Sequence, residues 1–521
     1  MTQPPEMPTL ESSPSTSKTT SAAAAPATAP TVDRAVEAGK GALFIGAAKV
    51  FFMLSGFVQQ VLLARLVNVA SLGAFGAVNS AISVGNNTIV QGTIQSVSKF
   101  TAEDDARAGA VQRAALWLLA PIGVIFALAF FLGAPVLADF EKAPTYVPYY
   151  RIAAAIPLLY AVYAVFVGSA NGLRRFRTQA RFDMTFSVAK TVLLLGGAAL
   201  AGVAGAFGGF ALAALFIVGV AARAMALGRS AASPAFPLRR LAAFWAMICG
   251  YNLLLNVELL YDQPLLHHFA GMVDPARGAV IAGHYQALRT LALLPYQALL
   301  VVTFVIFPLI SRSTFAADRE ATRAYVTQTL RVALILAAAM GVALGARPAA
   351  LIAILFRPEY QEGARALPIL VVGECALALL AVSCAILNAS GRALAALVLM
   401  AITVMTGVGA ATLLVPVAPL GPDMLVAMAI AAASGMVLGF VLSVGYIRVR
   451  LGGSAPLGTI GRVGVSAGVA VLVGRLLPGH GRIVGFAVTA LVAVVYFAVL
   501  VGLREFGASD RAKFRKILKR R

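Results

Sequence analysis

Charged side chains are scarce in this sequence: Asp, Glu, Lys and Arg make up 12% of the 521 residues, whereas 60% are hydrophobic. Soluble domains carry roughly 25% charged residues, so this shortage argues against a soluble protein. Cysteine is also rare, and the three cysteines show neither metal-ligand nor disulfide spacing. Apolar runs of about 20 residues are abundant, and each can cross a bilayer core of roughly 30 Å. The sequence therefore predicts an all-α, polytopic membrane protein.

Run length, Gly and Pro punctuation and loop charge predict about fourteen transmembrane helices. They lie near residues 41–63, 72–95, 113–138, 150–171, 184–205, 207–227, 241–262, 284–310, 328–347, 364–388, 394–415, 423–446, 460–477 and 483–503. Residues 1–38 are rich in Pro, Ser, Thr and Ala and are predicted to be a disordered cytoplasmic segment.

Acidic residues number 21 against 42 lysines and arginines, which gives a net charge of +21. The surplus lies in short loops between apolar spans rather than in a patch suited to nucleic acid, so we expect no nucleic-acid partner. Basic loops of membrane proteins face the cytoplasm, which predicts cytoplasmic termini in the inner membrane. The basic tail, 504–521, would lie against anionic lipid headgroups.

Two halves of the chain resemble each other. SKFTAEDDARAG (98–109) matches SRSTFAADREAT (311–322), and GSANGLRRF (168–176) matches LNASGRALA (387–395), at an offset of about 215 residues. Parallel repeats of this kind are typical of transporters, whereas an enzyme seldom needs two equivalent halves. We predict six-helix bundles over 39–227 and 241–450, a cytoplasmic loop over 228–240 between them, and two extra helices over 451–503.

Three motifs resemble those of one family. LLARLVNVASLGAFGAVNSA (62–81) is similar to its opening signature, and LNASGRALAAL (387–397) to its junction between spans ten and eleven. The eighth-span pattern Y…LR…LP…FP.ISR is formed by Tyr285, Arg289, Pro295, Pro308 and Arg312. In this order the motifs resemble the polysaccharide-export (oligosaccharide) flippases of the MOP (multidrug/oligosaccharidyl-lipid/polysaccharide) exporter superfamily, over about residues 39–450.

The resemblance implies a flippase that moves an undecaprenyl-pyrophosphate-linked oligosaccharide repeat unit across the cytoplasmic membrane. The product would serve surface polysaccharide biosynthesis, such as lipopolysaccharide or exopolysaccharide export. It implies no catalysis and no cofactor, and its partners would be the lipid-linked glycan, membrane lipids and other polysaccharide-assembly proteins. No P-loop is present, so ATP is not the direct energy source.

Three alternatives stay open. Lipid II flippases of the same superfamily carry an arginine where Arg289 stands, but Gln59 and Gln60 replace the arginine-rich signature of their first span. A multidrug/cation antiporter would have a carboxylate-rich cavity with little cationic charge. A membrane glycosyltransferase or polymerase would need a large external loop, whereas the longest one predicted, 262–283, has about 20 residues.

Ionisable residues within the spans mark the candidate site, because a mid-bilayer charge costs at least roughly 2.5–3.5 kcal/mol and usually faces a cavity. Lys49 lies about 12 Å into the first span, and Lys190 begins the fifth. Arg289 has a planar fork that suits phosphate, although its predicted place, about five residues inside its span, also allows snorkelling. We predict that these cations bind the pyrophosphate between the two bundles. Asn86 and Gln91 on the second span would contact sugar hydroxyls or hydrogen-bond between helices.

Carboxylates within the spans suggest ion coupling. Glu258 and Asp262 are four residues apart on one face of the seventh span, and Glu374 lies within the tenth. These carboxylates would bind a proton or sodium ion, or pair with Arg289 or Lys49. For Asp262, which is predicted near the outer end of its span, the alternative is a carboxylate at the membrane interface with no role in transport. Pro295 and Pro308 are predicted hinges of the eighth span. No metal-ligand spacing is present.

Overall fold

The computed structural model describes residues 32–225, 236–300, 310, 313–314, 318–477 and 482–507, and the regular structure of these residues is entirely helical. The helices are α1 (Val32–Leu66), α2 (Val69–Glu103), α3 (Ala108–Phe140), α4 (Val147–Ala153), α5 (Ala155–Gly172), α6 (Phe176–Ala224), α7 (Leu238–Leu260), α8 (Asp262–Val273), α9 (Pro275–Ala292), α10 (Arg319–Gly345), α11 (Pro348–Leu355), α12 (Leu367–Ala389), α13 (Ala393–Leu414), α14 (Pro422–Leu451), α15 (Leu457–Leu476) and α16 (Arg482–Gly502). Residues 294–300 are also helical. The helix α1 begins inside the segment 1–38 that we predict as disordered.

In the described residues, eleven helices are long and apolar enough to cross a membrane. One of them, α6, has 49 residues, about twice what a bilayer requires. It is interrupted at Ala201 and Gly202, where the φ of Gly202 is +57°. Its two arms then pack closely, since a Cβ on Gly197 would overlap the carbonyl oxygen of Gly205. This break falls near the predicted boundary between spans five and six; the count of fourteen spans stays a prediction.

The predicted outside loop 262–283 is wrong, because it is helical apart from Asp274. Only Tyr261 separates α7 from α8, and its φ of −69° and ψ of −29° are helical, so residues 238–273 form one bent helix. Pro264 lacks the N–H that would bond to Leu260, which explains the bend. Helix α9 begins at Pro275, capped by the carboxylate of Asp274. Asp262, Gln263 and His267 of this segment are buried in the protein interior, whereas Arg277 is exposed, and the polar composition alone did not reveal this difference.

This correction places two candidate residues far along their helices from the turn at Asp274. Asp262 is eleven residues from the end of α8 at Val273, or about 17 Å. Arg289 is fourteen residues from the start of α9 at Pro275, or about 21 Å. Both side chains are buried in the protein, and their depth in the membrane stays a prediction.

Helices of the same half pack against one another, while the bounds of the two bundles stay a prediction. In the first half, α2 packs against α3 and α5, and α6 packs against α1 and α5. In the second half, α14 packs against α12 and α13, and α10 packs against α12. Helices α15 and α16 pack against each other and against α10, where Glu505 accepts hydrogen bonds from Arg331, Thr459 and Arg462.

The two halves meet along α2, which contacts α7, α8 and α9. At one end Arg240 and Glu103 form an ion pair with an N–O distance of 2.9 Å. We call this end, where Arg392 and Arg450 also lie, the basic end. At the opposite end the backbones of α2 and α9 touch, because a Cβ on Gly73 would overlap the carbonyl oxygen of Ala279. Small residues thus allow the two halves to pack closely.

Candidate functional site

A buried ion cluster lies at the bends of the seventh and eighth spans, built from Glu258, Asp262, Tyr285, Arg289 and Glu374. Arg289 Nε lies 3.2 Å from Asp262 Oδ2, and the two side chains are 5% and 4% exposed. The hydroxyl of Tyr285 donates to the same Oδ2 atom at 2.9 Å. Asp262 and Arg289, which are 27 positions apart and belong to different helices, thus hold each other in place. The pairing of Asp262 with Arg289 was one of the predicted alternatives.

The guanidinium of Arg289 is neutralised but not saturated. Its Nε lies within ion-pair distance of Asp262, and among the described residues no acceptor is aligned with this N–H. We interpret the contact as an ion pair without a directed hydrogen bond. A buried donor of this kind is available to an anionic ligand, since charge-assisted bonds to Arg are strong and directional.

Carboxylates outnumber cations in the cluster. Glu258 is 1% exposed, and among the described residues neither of its carboxylate oxygens has a hydrogen-bond partner. Glu374 is 2% exposed, and within the same part of the chain its Oε2 has no partner. Asp262 and Glu374 both act electrostatically on Glu258, and Arg289 acts on Glu374, so three carboxylates and one guanidinium interact in this cluster. Such an arrangement favours uptake of a cation.

Polar side chains connect this cluster to the seam. Gly76 of α2 lies against the amides of Gln263 and Gln286, which a Cβ at this position would contact. Gln263 donates to the carbonyl of Ala282 at 2.8 Å, while the side-chain oxygens of both glutamines are buried without partners. Unsatisfied amide oxygens at a helix interface suit sugar hydroxyls, which donate hydrogen bonds.

The two predicted lysine ligands lie elsewhere, in the first half. Lys49 Nζ is 3.0 Å from Asp183 Oδ2 across the contact between α1 and α6. Lys190 stands over the ring of Phe210, with Nζ 4.2 Å from the ring centroid. Within the described residues, no contact joins either lysine to Arg289. Sequence reasoning missed Asp183, although it lies seven residues before Lys190 and thus on the same helix face.

The remaining predicted residues are separated as well. On α2, Asn86 is buried with an unpartnered side-chain oxygen, whereas Gln91 is exposed. Near Pro295 the eighth span is interrupted by a turn at Leu293, because proline cannot donate to the preceding helical turn. Pro308 lies outside the described residues.

A second buried polar group, missed from the sequence, joins the halves at the opposite end. Glu141 follows α3, is 1% exposed, and accepts a hydrogen bond of 2.9 Å from Tyr150. Beside it, Tyr146 and His267 of α8 are hydrogen-bonded at 3.1 Å. Burial raises the pKa of Glu141 to about 8, although the bond from Tyr150 lowers it in part. The local composition ADFEKAPTY is the same for a buried and for a solvated carboxylate, so it gave no signal of this burial.

Comparison with known proteins assigns the chain to a family. The sequence model of the polysaccharide biosynthesis protein family matches residues 38–314, which is more than half of the chain. The chain belongs to this family. No curated protein sequence matches it.

Solved structures with this fold come from the MOP superfamily. The lipid II flippase MurJ in its inward closed conformation aligns with a TM-score of 0.69 at 12% identity, covering 88% of this chain and 98% of MurJ. A multidrug resistance MATE transporter of the MOP superfamily in its inward-facing conformation gives a TM-score of 0.63 at 16% identity, covering 79% of this chain and 98% of its own. A MOP superfamily transporter from Pyrococcus furiosus gives 0.59 at 16% identity, covering 79% and 96%.

These findings confirm the predicted all-α membrane fold and the membership of the polysaccharide biosynthesis protein family, and the chain shares its fold with transporters of the MOP superfamily. This member of the polysaccharide biosynthesis protein family is a multi-pass membrane protein that shares its fold with MurJ and a MATE transporter. The buried ion cluster lies within the part of the chain that the family model covers, apart from Glu374.

Proposed function

We propose that this protein translocates an undecaprenyl-pyrophosphate-linked oligosaccharide repeat unit across the cytoplasmic membrane for surface polysaccharide biosynthesis, by alternating access. The observation that carries the proposal is the buried, unsaturated guanidinium of Arg289 in a member of the polysaccharide biosynthesis protein family. The basic end would face the cytoplasm together with both termini. The lipid tail would stay in the bilayer while the pyrophosphate and sugars pass between the halves.

The mechanism follows from the charge balance of the cluster. A pyrophosphate that binds Arg289 draws the guanidinium away from Asp262, leaving the three carboxylates without their counter-charge. Uptake of a cation by Glu258, Asp262 or Glu374 then restores the balance, which links anion binding to an ion gradient. We propose a proton, because one carboxylate suffices to hold it, and among the described residues no group of His, Cys or carboxylate side chains is arranged for a metal ion.

The first half contributes the other predicted ligands when the halves separate along α2. Lys49 and Lys190 would bind acidic sugars or the second phosphate, and Asn86 and Gln91 would contact sugar hydroxyls at different stages. Lys49 is 40% exposed beside Asp183, so an anion can reach it. The bends near Pro264 and Pro295 lie next to the ion cluster and would serve as hinges.

Reconstituted flipping tests this function. The full chain is placed in vesicles containing a fluorescent oligosaccharide-pyrophosphate lipid, and the fraction exposed to a membrane-impermeant quencher is followed with time. Arg289→Gln should slow flipping at least about tenfold, because a charge-assisted bond contributes roughly 1.5–3 kcal/mol. Arg277→Gln is the matched control, since Arg277 lies on the same helix but is exposed. Equal rates for both variants would refute the role of Arg289.

A multidrug/cation antiporter is the second candidate, and the excess of buried carboxylates favours it. The same vesicles distinguish the two: an imposed pH or sodium gradient would drive uptake of a cationic drug without any oligosaccharide flipping. Lipid II is the third possible cargo. The similarity to MurJ supports a shared fold. Measuring lipid II flipping in the same vesicles allows its rate to be compared with that of the oligosaccharide lipid.

A further inference from the structure

A groove of about 920 Å³ runs between α13 and α14 at the basic end. Its walls are apolar, and Leu394 and Val449 are 73% and 81% exposed. Arg392, just before α13, and Arg450, at the end of α14, line the same groove. Among the described residues, neither guanidinium has a carboxylate partner.

The groove faces away from the seam between the halves. On α13 the opposite face carries Thr403 and Gly407, which pack against α14, and Gly407 lies against the Tyr261 hydroxyl of the seventh span. The groove therefore opens toward the surface that the bilayer surrounds, and not into the proposed translocation path. Its occupant should be a resident lipid rather than the cargo.

We propose that this groove binds an anionic phospholipid of the surrounding bilayer. Arg392 and Arg450 hold the phosphate, and the acyl chains lie along Leu394 and Val398. The first backbone N–H groups of α13 lack a side-chain cap and point to the same end, which favours an anion further. Tyr446, also in the groove, suits the headgroup level, where aromatic side chains with a polar tip are enriched. This proposal is independent of the proposed flippase function.

Anionic lipids should be preferred over zwitterionic ones, because a zwitterionic headgroup adds a positive charge beside the two arginines. Each basic residue near an anionic membrane surface favours binding about fivefold, so the pair should favour phosphatidylglycerol over phosphatidylcholine by about 30-fold. The readout is retention of each lipid by the purified full chain in native mass spectrometry, with the lipid-induced rise in melting temperature as a second measurement.

Two kinds of variant remove different parts of the site. Arg392→Gln with Arg450→Gln removes the charges. Gly445→Phe fills the groove and keeps both charges, and it should fold, because a Cβ on Gly445 meets no atom within 4 Å. Arg175→Gln is the control for charge, since Arg175 precedes α6 as Arg392 precedes α13. Gly409→Phe is the control for bulk, because Gly409 is a helical glycine of α13 at which a Cβ also meets no atom within 4 Å.

The proposal expects preferential phosphatidylglycerol retention by the unmodified chain and both controls, and its loss in the charge pair and in Gly445→Phe. Unchanged retention in all variants would show that the lipid binds elsewhere and would overturn the proposal. Retention of undecaprenyl phosphate but not of phosphatidylglycerol would also overturn it, since the groove would then serve the carrier lipid.

Discussion

The ion pair between Asp262 and Arg289 permits a quantitative test of the buried cluster. Arg289→Leu removes the cation and leaves three carboxylates buried without compensation. Because both side chains are at most 5% exposed, solvent does not screen the loss. Removing one partner of a buried pair typically costs about 3–5 kcal/mol of unfolding free energy. We expect a value in this range.

Asp262→Asn should cost less, about 1–3 kcal/mol, as for a buried polar group that loses part of its interactions. The amide oxygen of Asn still accepts the hydrogen bond from Tyr285, and Glu258 and Glu374 still offer negative charge to Arg289. The double variant removes both charges, so its cost should fall below the sum of the single costs by about 2 kcal/mol. This difference is the interaction energy of the pair.

Chemical denaturation of the purified chain in detergent, followed by tryptophan fluorescence or circular dichroism, provides the free energies. Arg277→Leu is the control, because Arg277 is exposed on the same helix and should change stability by less than about 0.5 kcal/mol. Additive costs in the double variant would refute the buried pair. Flipping in the double variant should stay at least about tenfold slower than in the unmodified chain, although its loss of stability is smaller than the sum of the single losses. This separates the structural role of the pair from its role in transport.

Two further predictions concern the contact between the halves. Because the pKa of Glu141 is raised from 4.5 to about 8, the folded state binds more protons than the unfolded chain in this window. The contribution of Glu141 to stability should therefore fall as pH rises from about 4.5 to 8, by at most about 5 kcal/mol. Glu141→Gln should take this contribution out of the slope of melting temperature against pH, and an unchanged slope would contradict the burial. Gly73→Ala should lower the free energy of unfolding by about 1–3 kcal/mol, because the new Cβ overlaps the carbonyl of Ala279. The control Gly208→Ala, with open space at its Cβ, should be neutral or stabilising. Equal effects of these two substitutions would show that α2 and α9 do not pack closely.

Local sequence patterns were sufficient to predict much of the fold. Apolar runs, loop charge and the break near Gly202 each depend on a few neighbouring residues, so they predicted helical spans and the place of a hairpin. The order of three motifs sufficed to predict the polysaccharide-export family, and the match to the polysaccharide biosynthesis protein family confirms this. The predicted loop 262–283 failed because polar residues that pack inside a helix pair have the same composition as a solvated loop.

Only tertiary packing decided which charged side chains pair with one another. Asp262 and Arg289 belong to different helices, and Lys49 meets Asp183 from 134 positions away, so no local period could pair them. The burial of Glu141 depends on α4 and on α8, which come from different halves of the chain. By itself the sequence determined that the chain crosses the membrane many times as two related halves, since hydropathy and repeats are properties of the chain alone. Which charges neutralise each other, and at what depth, was decided by the packing of helices distant in sequence, because burial and ion pairing depend on distances that only the folded chain defines.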